Sequence, residues 1–339
     1  MNNNKFRVLS LDGGGIRGIF SAVILSQIEK DLQKKGVEKW HIYQNIELIF
    51  GTSTGGILAL ALSLGIPAEK IKDLYFKNAE AIFGNGKKLF CSMFSSTHQR
   101  KNLENLLINI YKENNNNTEP LLKDCKVPVA VSIYDLHKGV PSVLKSMYHK
   151  RFKRDPNLPL FKAALSTSSA PTFFDPYSSD DYLDLEGKIV DFKYKVDGGV
   201  WANNPALIAL IEAQKAFTIE LKNINLISIG TGQSIFLENN RTKRFGILYW
   251  LNKKRLIELF MQGQSQQAEN LISLLKNGID KEENDNFGYI RLNTLFKTEA
   301  ESIKMDETDS NKLEKLEIRA LDVYRENKIE IFKLLNLDI

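Results

Sequence analysis

Residues 47–64 read ELIFGTSTGGILALALSL. An apolar strand, Glu47 to Phe50, breaks at Gly51, and an apolar segment of helical length follows from Thr54, so only Gly51-Thr52-Ser53 joins the two. This is a nucleophile-elbow pattern, G-x-S-x-G. Such a turn holds one side chain in a strained conformation at a helix N-terminus, where its hydroxyl is exposed and the helix dipole favours developing negative charge. Gly51 and Gly55 stand two residues either side of Ser53, where the crossing strand and helix leave no room for a Cβ. The pattern alone also describes a serine in a glycine-rich turn, and the flanking strand and helix are what favour the elbow.

Towards the N-terminus, Phe6 to Leu11 reads as a strand that enters Asp12-Gly13-Gly14-Gly15-Ile16-Arg17-Gly18. Ile19, Phe20, Val23, Ile24, Ile28 and Leu32 then recur at helical spacing. Bare glycine N–H groups at a helix N-terminus make an anion site. One candidate anion is a pyrophosphate, because Gly13, Gly15 and Gly18 satisfy G-x-G-x-x-G. That reading expects an acidic residue ending the second strand about 20 positions on, but Glu38 lies in a polar stretch and the next strand begins only near Glu47. The other candidate is the oxyanion of an acyl-transfer intermediate. A serine on the very next strand-turn-helix unit favours it.

Towards the C-terminus, helical spacing covers Ala68 to Phe83 and Gln99 to Tyr111, with a loop expected at 84–88 and another at the asparagine run 114–117. Val127 to Leu136 and Val143 to Met147 read as neighbouring strands. A helix opening at Pro159 runs into a small-residue turn, Leu165 to Thr172, of the kind that passes close beneath a site or simply ends a helix. Tyr182 to Lys195 reads as a hairpin turning at Glu186-Gly187, and its second strand leads to Asp197-Gly198-Gly199. Asn203-Asn204-Pro205 supplies a cap and a proline that start a helix through about Phe217. Asn225 to Ile229 is a further strand, Phe245 to Lys276 is mainly helical, Tyr289 to Leu292 is a short strand, and Lys312 to Leu335 is a long amphipathic helix.

The composition, 43% hydrophobic over 339 residues, is that of a globular protein able to bury a large core. The polar start carries no signal-peptide pattern and no apolar run reaches the length of a membrane span, so folding in the cytosol is expected. Two cysteines, Cys91 and Cys125, are too few for a disulfide framework or a structural zinc site. The formal charge of +5 gathers at Lys150, Arg151, Lys153 and Arg154; at Arg241, Lys243 and Arg244; and at Lys253, Lys254 and Arg255. Such clusters are ordinarily solvated faces. Their functional reading is attraction to anionic headgroups or to a phosphate-bearing ligand.

A nucleophilic serine needs a base. The histidines after Ser53 are His98, His137 and His149, so Asp135 with His137 or His149 could complete a triad, although neither histidine sits in a tight loop after a strand. Asp197 has no downstream histidine and would have to act as the base itself. Burial would raise its proton affinity enough for that task.

DGGGIRG at Asp12 to Gly18, GTSTG at Gly51 to Gly55 and DGG at Asp197 to Gly199, in this order, resemble the patatin-like phospholipases. The resemblance covers roughly residues 5 to 232. It implies a three-layer α/β/α sandwich with a mostly parallel central sheet, with residues 233–339 as a mainly helical C-terminal cap on the same domain. It further implies a Ser-Asp dyad, Ser53 the nucleophile and Asp197 its base, with Gly13, Gly14, Gly15 and Arg17 as the oxyanion turn and Gly18, Gly51, Gly55, Gly198 and Gly199 completing the motifs. The implied activity is hydrolysis of acyl esters in membrane phospholipids without metal or organic cofactor, by a cytoplasmic protein docking on the inner membrane face. SSAPTFF and DGGVWANNP also look like bacterial members, among which the similarity points to phospholipases of antiphage defence switched on by cyclic dinucleotides. No polymeric nucleic acid is expected as partner, and self-association is left open. The rival reading is a nucleotide-binding sensor that uses Gly13 to Gly18 without hydrolase activity.

Overall fold

The computed structural model describes residues 5–83, 100–234, 255–277, 287–298 and 300–337. The loop expected at 84–88, Cys91, His98, the basic residues Arg241, Lys243, Arg244, Lys253 and Lys254, and the start of the helix expected from Phe245 lie outside them. In chain order the elements begin β1 (Phe6–Leu11), α1 (Gly18–Lys34), β2 (Leu48–Thr52), α2 (Thr54–Leu64), α3 (Ala68–Phe83), α4 (Lys101–Glu113), β3 (Val129–Asp135), β4 (Val140–Lys145) and α5 (Leu160–Thr167). They continue with β5 (Tyr182–Leu183), β6 (Ile189–Val190), β7 (Lys195–Asp197), α6 (Gly199–Ala202), α7 (Ala206–Ala216), β8 (Ile224–Ile229) and β9 (Gln233–Ser234). Last come α8 (Arg255–Asn277), β10 (Gly288–Leu292), β11 (Leu295–Phe296) and α9 (Ser310–Leu334).

The central sheet runs β10-β8-β1-β2-β3-β4, with β7 also paired to β3. Its first five strands are parallel, and β4 and β7 are antiparallel to β3. Every residue of β2 and β8 is buried, polar Asn225 and Ser228 included, which is why neither strand reads as a simple apolar/polar alternation. The two faces separate by the period of two. Val8, Leu48, Phe50, Ala130 and Leu226 pack with Ala206, Ala209, Leu210 and Ala213 of α7 and Ile272 of α8. Leu9, Leu11, Ile49, Val129, Val131 and Ile227 turn the other way, into a larger core with α1 and α2. Two apolar clusters on opposite sides of one sheet make a three-layer α/β/α sandwich. Helix α2 is buried at every position, as its continuous apolar sequence requires.

Residues beyond 232 add β10 to the sheet edge beside β8. They also add α9, which lies against α1, where the Tyr324 hydroxyl donates to Asp31 Oδ2 at 2.7 Å. The hairpin expected from Tyr182 to Lys195 is shorter than its sequence suggests. Its strands hold two residues each, and Lys195–Asp197 leave it for the central sheet. A buried ion pair accounts for the departure: Lys195 Nζ lies 2.8 Å from Asp135 Oδ2 at the end of β3. Strand β4 starts at Val140 rather than Val143, because Gly139, at φ +69, already completes the turn.

Candidate active site

Strand β3 assembles the site. Its residue Ser132 pairs with Thr52 at the end of β2, and the next residue, Ile133, pairs with Asp197 at the end of β7. Strand β7 therefore takes up the edge of β3 where β2 leaves off, running in the opposite direction. The two strand ends meet, and Ser53 and Asp197 arrive in one cleft from positions far apart in the chain.

Ser53 has φ 54 and ψ −124, the strained conformation of an elbow, and is the N-cap of α2. The turn is held from three sides. The Ser53 N–H donates to Thr167 Oγ1 at 3.0 Å, the Thr167 hydroxyl donates to Ser132 O at 2.7 Å, and the Thr52 hydroxyl donates to Ala202 O at 2.6 Å. A Cβ on Gly51 would collide with the backbone of Gly55, and one on Gly55 with the carbonyls of Leu11 and Asp12.

Asp197 is 2% exposed. Burial pushes its carboxyl up to about 7, while the Ser53 hydroxyl and the Gly199 N–H pull it down. The Gly199 N–H donates to Oδ1 at 2.7 Å. Oδ2 has no hydrogen-bond partner at ordinary geometry among the described residues. The Ser53 hydroxyl is thus a neighbour that lowers the carboxyl's proton affinity without closing a short bond, a looseness common in catalytic pairs before substrate arrives.

The glycine turn runs past this pair. The Gly13 N–H is engaged by Asn203 O at 3.0 Å, whereas the N–H groups of Gly14 and Gly15 make no hydrogen bond among the described residues. A Cβ on Gly14 would meet the Thr231 side chain, and Gly15, at φ +60, packs on Met305 O. The glycines thus admit protein neighbours at close quarters, and Glu38 is exposed at a bend instead of ending a strand, as a dinucleotide site would require. Arg17 is buried but lines a separate polar cavity, where its Nη1 donates to Ile303 O at 3.4 Å. Burial lowers its pKa and Glu258 opposes that shift.

Ser53, Asp197 and Gly15 share a cleft of about 600 Å³ whose other walls include Ile57, Ile82, Leu103, Phe173, Phe174 and Met261. It has one polar end and an apolar body, which suits an ester attached to a hydrocarbon chain. Among the described residues no histidine lines it. His137 is exposed beside the Tyr194 ring, and His149 lies past the far end of β4, where its Nδ1 accepts from the Arg151 N–H at 3.1 Å. The Lys150 to Arg154 cluster shares that far end, since Ser146 pairs with the start of β3 rather than its end. Lys153 and Arg154 are also paired there, with Glu186 and Asp155. Among the described residues no group of His, Cys, Asp and Glu could hold a metal ion.

Three contributors were hidden in the sequence. Arg291 of β10 holds Asp12 at the head of the glycine turn. Asn203 reads as a helix cap, yet its carbonyl fixes Gly13 and its Nδ2 donates to Ser265 Oγ of α8 at 3.0 Å. Thr167 had a partial signal, the small-residue turn after Leu165, and Ser168 and Ala170 of that turn line the cleft.

The family model described as patatin-like phospholipase matches residues 9–210. A cGAMP-activated phospholipase of Escherichia coli is 32% identical over 338 residues, covering 93% of this chain and 87% of the relative. One of Vibrio cholerae is 32% identical over 243 residues, covering 67% of this chain and 64% of the relative. Patatin-like protein 2 of Arabidopsis thaliana is 30% identical over 325 residues, covering 85% of this chain and 75% of the relative.

Proposed function

The chain belongs to the patatin-like phospholipase family, and from that premise we propose that it releases fatty acids from membrane phospholipids through a Ser53–Asp197 dyad. Ser53 Oγ attacks the ester carbonyl while Asp197 takes its proton, and the free N–H groups of Gly14 and Gly15 receive the developing oxyanion. Asp197 returns the proton to the departing alcohol. Water then attacks the acyl-serine by the same route and frees the acid. A carboxylate with a pKa of about 7 suits both proton steps near neutral pH. The observation that carries the reading is the shared apolar cleft in which Ser53 faces Asp197 with no imidazole on its lining among the described residues.

In this reading residues 5–232 carry the chemistry and residues 233–339 complete its surroundings, since Ile257, Met261 and Met305 line the cleft. No helix among the described residues is long and apolar enough to cross a membrane, so the substrate is met by docking on the inner membrane face. The names of the two bacterial relatives support a cyclic dinucleotide as activator, and with it a role in antiphage defence. The test is fatty-acid release from phospholipid vesicles with and without a panel of cyclic dinucleotides. The unmodified chain is expected to act, and Ser53→Ala and Asp197→Asn each to lose at least about a hundredfold while staying folded. Retained activity in Asp197→Asn, lost instead in His149→Ala, would overturn the dyad.

A further inference from the structure

Across the glycine turn from the acyl cleft lies a second, smaller cavity with polar walls that include Asp12, Arg17, Asn203, Thr231, Gln233 and Gln262. Met261 and Met305 line both spaces, so the two share a wall. Three buried polar atoms on this lining have no hydrogen-bond partner among the described residues: Arg17 Nε, Asn203 Oδ1 and Gln233 Nε2. Arg17 is 9% exposed and Asn203 7%. Burying such groups without partners is costly. Two are donors and one is an acceptor, a combination that water matches from both sides, and a buried water typically joins about three otherwise unpaired groups.

Asn203 stands where this cavity meets the dyad. A Cβ on Gly13 would lie 2.5 Å from Asn203 Oδ1 and 3.1 Å from Ser53 Cβ, so the carboxamide and the serine face each other across a bare glycine. A Cβ on Gly199 would likewise touch both Asp197 Oδ1, at 3.1 Å, and Asn203 Oδ1, at 3.3 Å. The body of the acyl cleft is lined by apolar side chains, which offer a stored water few hydrogen-bond partners.

Resting on the acyl-serine mechanism above, we infer that the polar cavity stores the hydrolytic water and passes it over Asn203 Oδ1 to the acyl-enzyme. The water oxygen bonds to the acyl carbonyl carbon as Asp197 takes one of its protons. The bond from that carbon to Ser53 Oγ then breaks, Ser53 recovers the proton from Asp197, and the carboxylic acid leaves.

The experiment is rapid-mixing hydrolysis of a p-nitrophenyl acyl ester, with intact-mass detection of acyl-Ser53, comparing the unmodified chain with Gln233→Met and Gln262→Met. Neither position touches the dyad, and Met matches Gln in length, so melting midpoints within a few degrees of the unmodified chain are expected. With this activated ester acylation is fast. Both variants should keep the burst of nitrophenol while the acyl-enzyme lives about tenfold longer, so kcat and KM fall together and kcat/KM stays. Unchanged acyl-enzyme lifetime in both folded variants would overturn the inference, as would a fall in kcat/KM at constant KM. Absence of burst and adduct from the unmodified chain, with activity surviving Ser53→Ala, would instead remove the acyl-serine mechanism beneath it.

Discussion

Arg291 clasps Asp12 with both prongs of its guanidinium, Nη1 to Oδ1 at 2.9 Å and Nη2 to Oδ2 at 2.6 Å. Both side chains are almost wholly buried. Burial by itself would lower the Arg291 pKa, but the carboxylate beside it raises it above the ordinary arginine value, so the guanidinium stays charged. Asp12 follows directly on β1 and begins the glycine turn, while Arg291 sits on β10 at the sheet edge. The pair therefore fastens the C-terminal part of the chain to the head of the glycine turn.

Removing one partner of such a pair strands the other charge in the interior, which costs about 3–5 kcal/mol. Arg291→Met should lower unfolding stability by that amount in a denaturant titration and reduce ester hydrolysis more than tenfold. Adding Asp12→Asn to it should restore part of the stability, because the remaining group is then neutral.

The glycines of the elbow make a graded prediction. Ala at Gly51 or Gly55 would drive a Cβ into backbone that cannot move aside, and a loss of about 3 kcal/mol or more is expected, with activity gone. Gly263 lies inside α8 with open space where its Cβ would be. Gly263→Ala should raise stability by about 0.4–1 kcal/mol, chiefly by restricting the unfolded chain. Parallel thermal melts of the three variants check the ordering.

Much of this arrangement is legible from local pattern. The strand-turn-helix units at Leu11 to Gly18 and Phe50 to Gly55 are written in apolar runs and glycines, because parallel strands buried on both faces need the first and close backbone crossings need the second. What local pattern cannot carry is partner choice at long range. The span from Tyr182 to Lys195 alternates like one hairpin, and only the buried Asp135 across the sheet decides that Lys195 leaves it. Arg291 looks like any polar residue on an edge strand until Asp12 is beside it. Asn203 satisfies the statistics of a helix cap while it also fixes Gly13.

The conformation of Ser53 separates the cost of strain from the chemistry. A non-glycine residue held at φ 54 and ψ −124 costs on the order of 1–3 kcal/mol. Ser53→Ala keeps its Cβ in that conformation, whereas Ser53→Gly does not. Both should be inactive, and the glycine variant should melt above the alanine variant even though glycine adds freedom to the unfolded chain. Equal midpoints would mean that the elbow stores little strain.

The Lys150 to Arg154 cluster lies at the opposite end of the sheet from Ser53, with two of its cations already paired. A bilayer that feeds the acyl cleft would not touch it. Lys150→Glu with Arg151→Glu should therefore leave fatty-acid release from anionic vesicles within about twofold of the unmodified chain, whereas a large drop would show that this end meets the lipid.

Asp197 links stability and activity to pH in opposite directions. Its carboxyl is raised from the ordinary value of 3.8 to about 7, with burial the largest cause. Between these values the folded protein keeps a proton that the unfolded chain has released. The favourable contribution is therefore complete below about pH 4 and is lost as pH rises through about 7. Asn at this position carries no titrating proton. The stability of Asp197→Asn relative to the unmodified chain should accordingly improve from pH 5 to pH 8, by on the order of 2–4 kcal/mol, since each unit of displacement is worth about 1.4 kcal/mol. Activity runs the other way, because the base must be ionised to accept the serine proton, so kcat/KM should climb through about pH 7 and level off above it. Denaturant titrations at the two pH values and a kcat/KM profile on a soluble ester test both limbs. A relative stability that does not change with pH, beside an activity limb near pH 4, would mean that the carboxylate is ionised far below neutrality and that the cleft around it is wet.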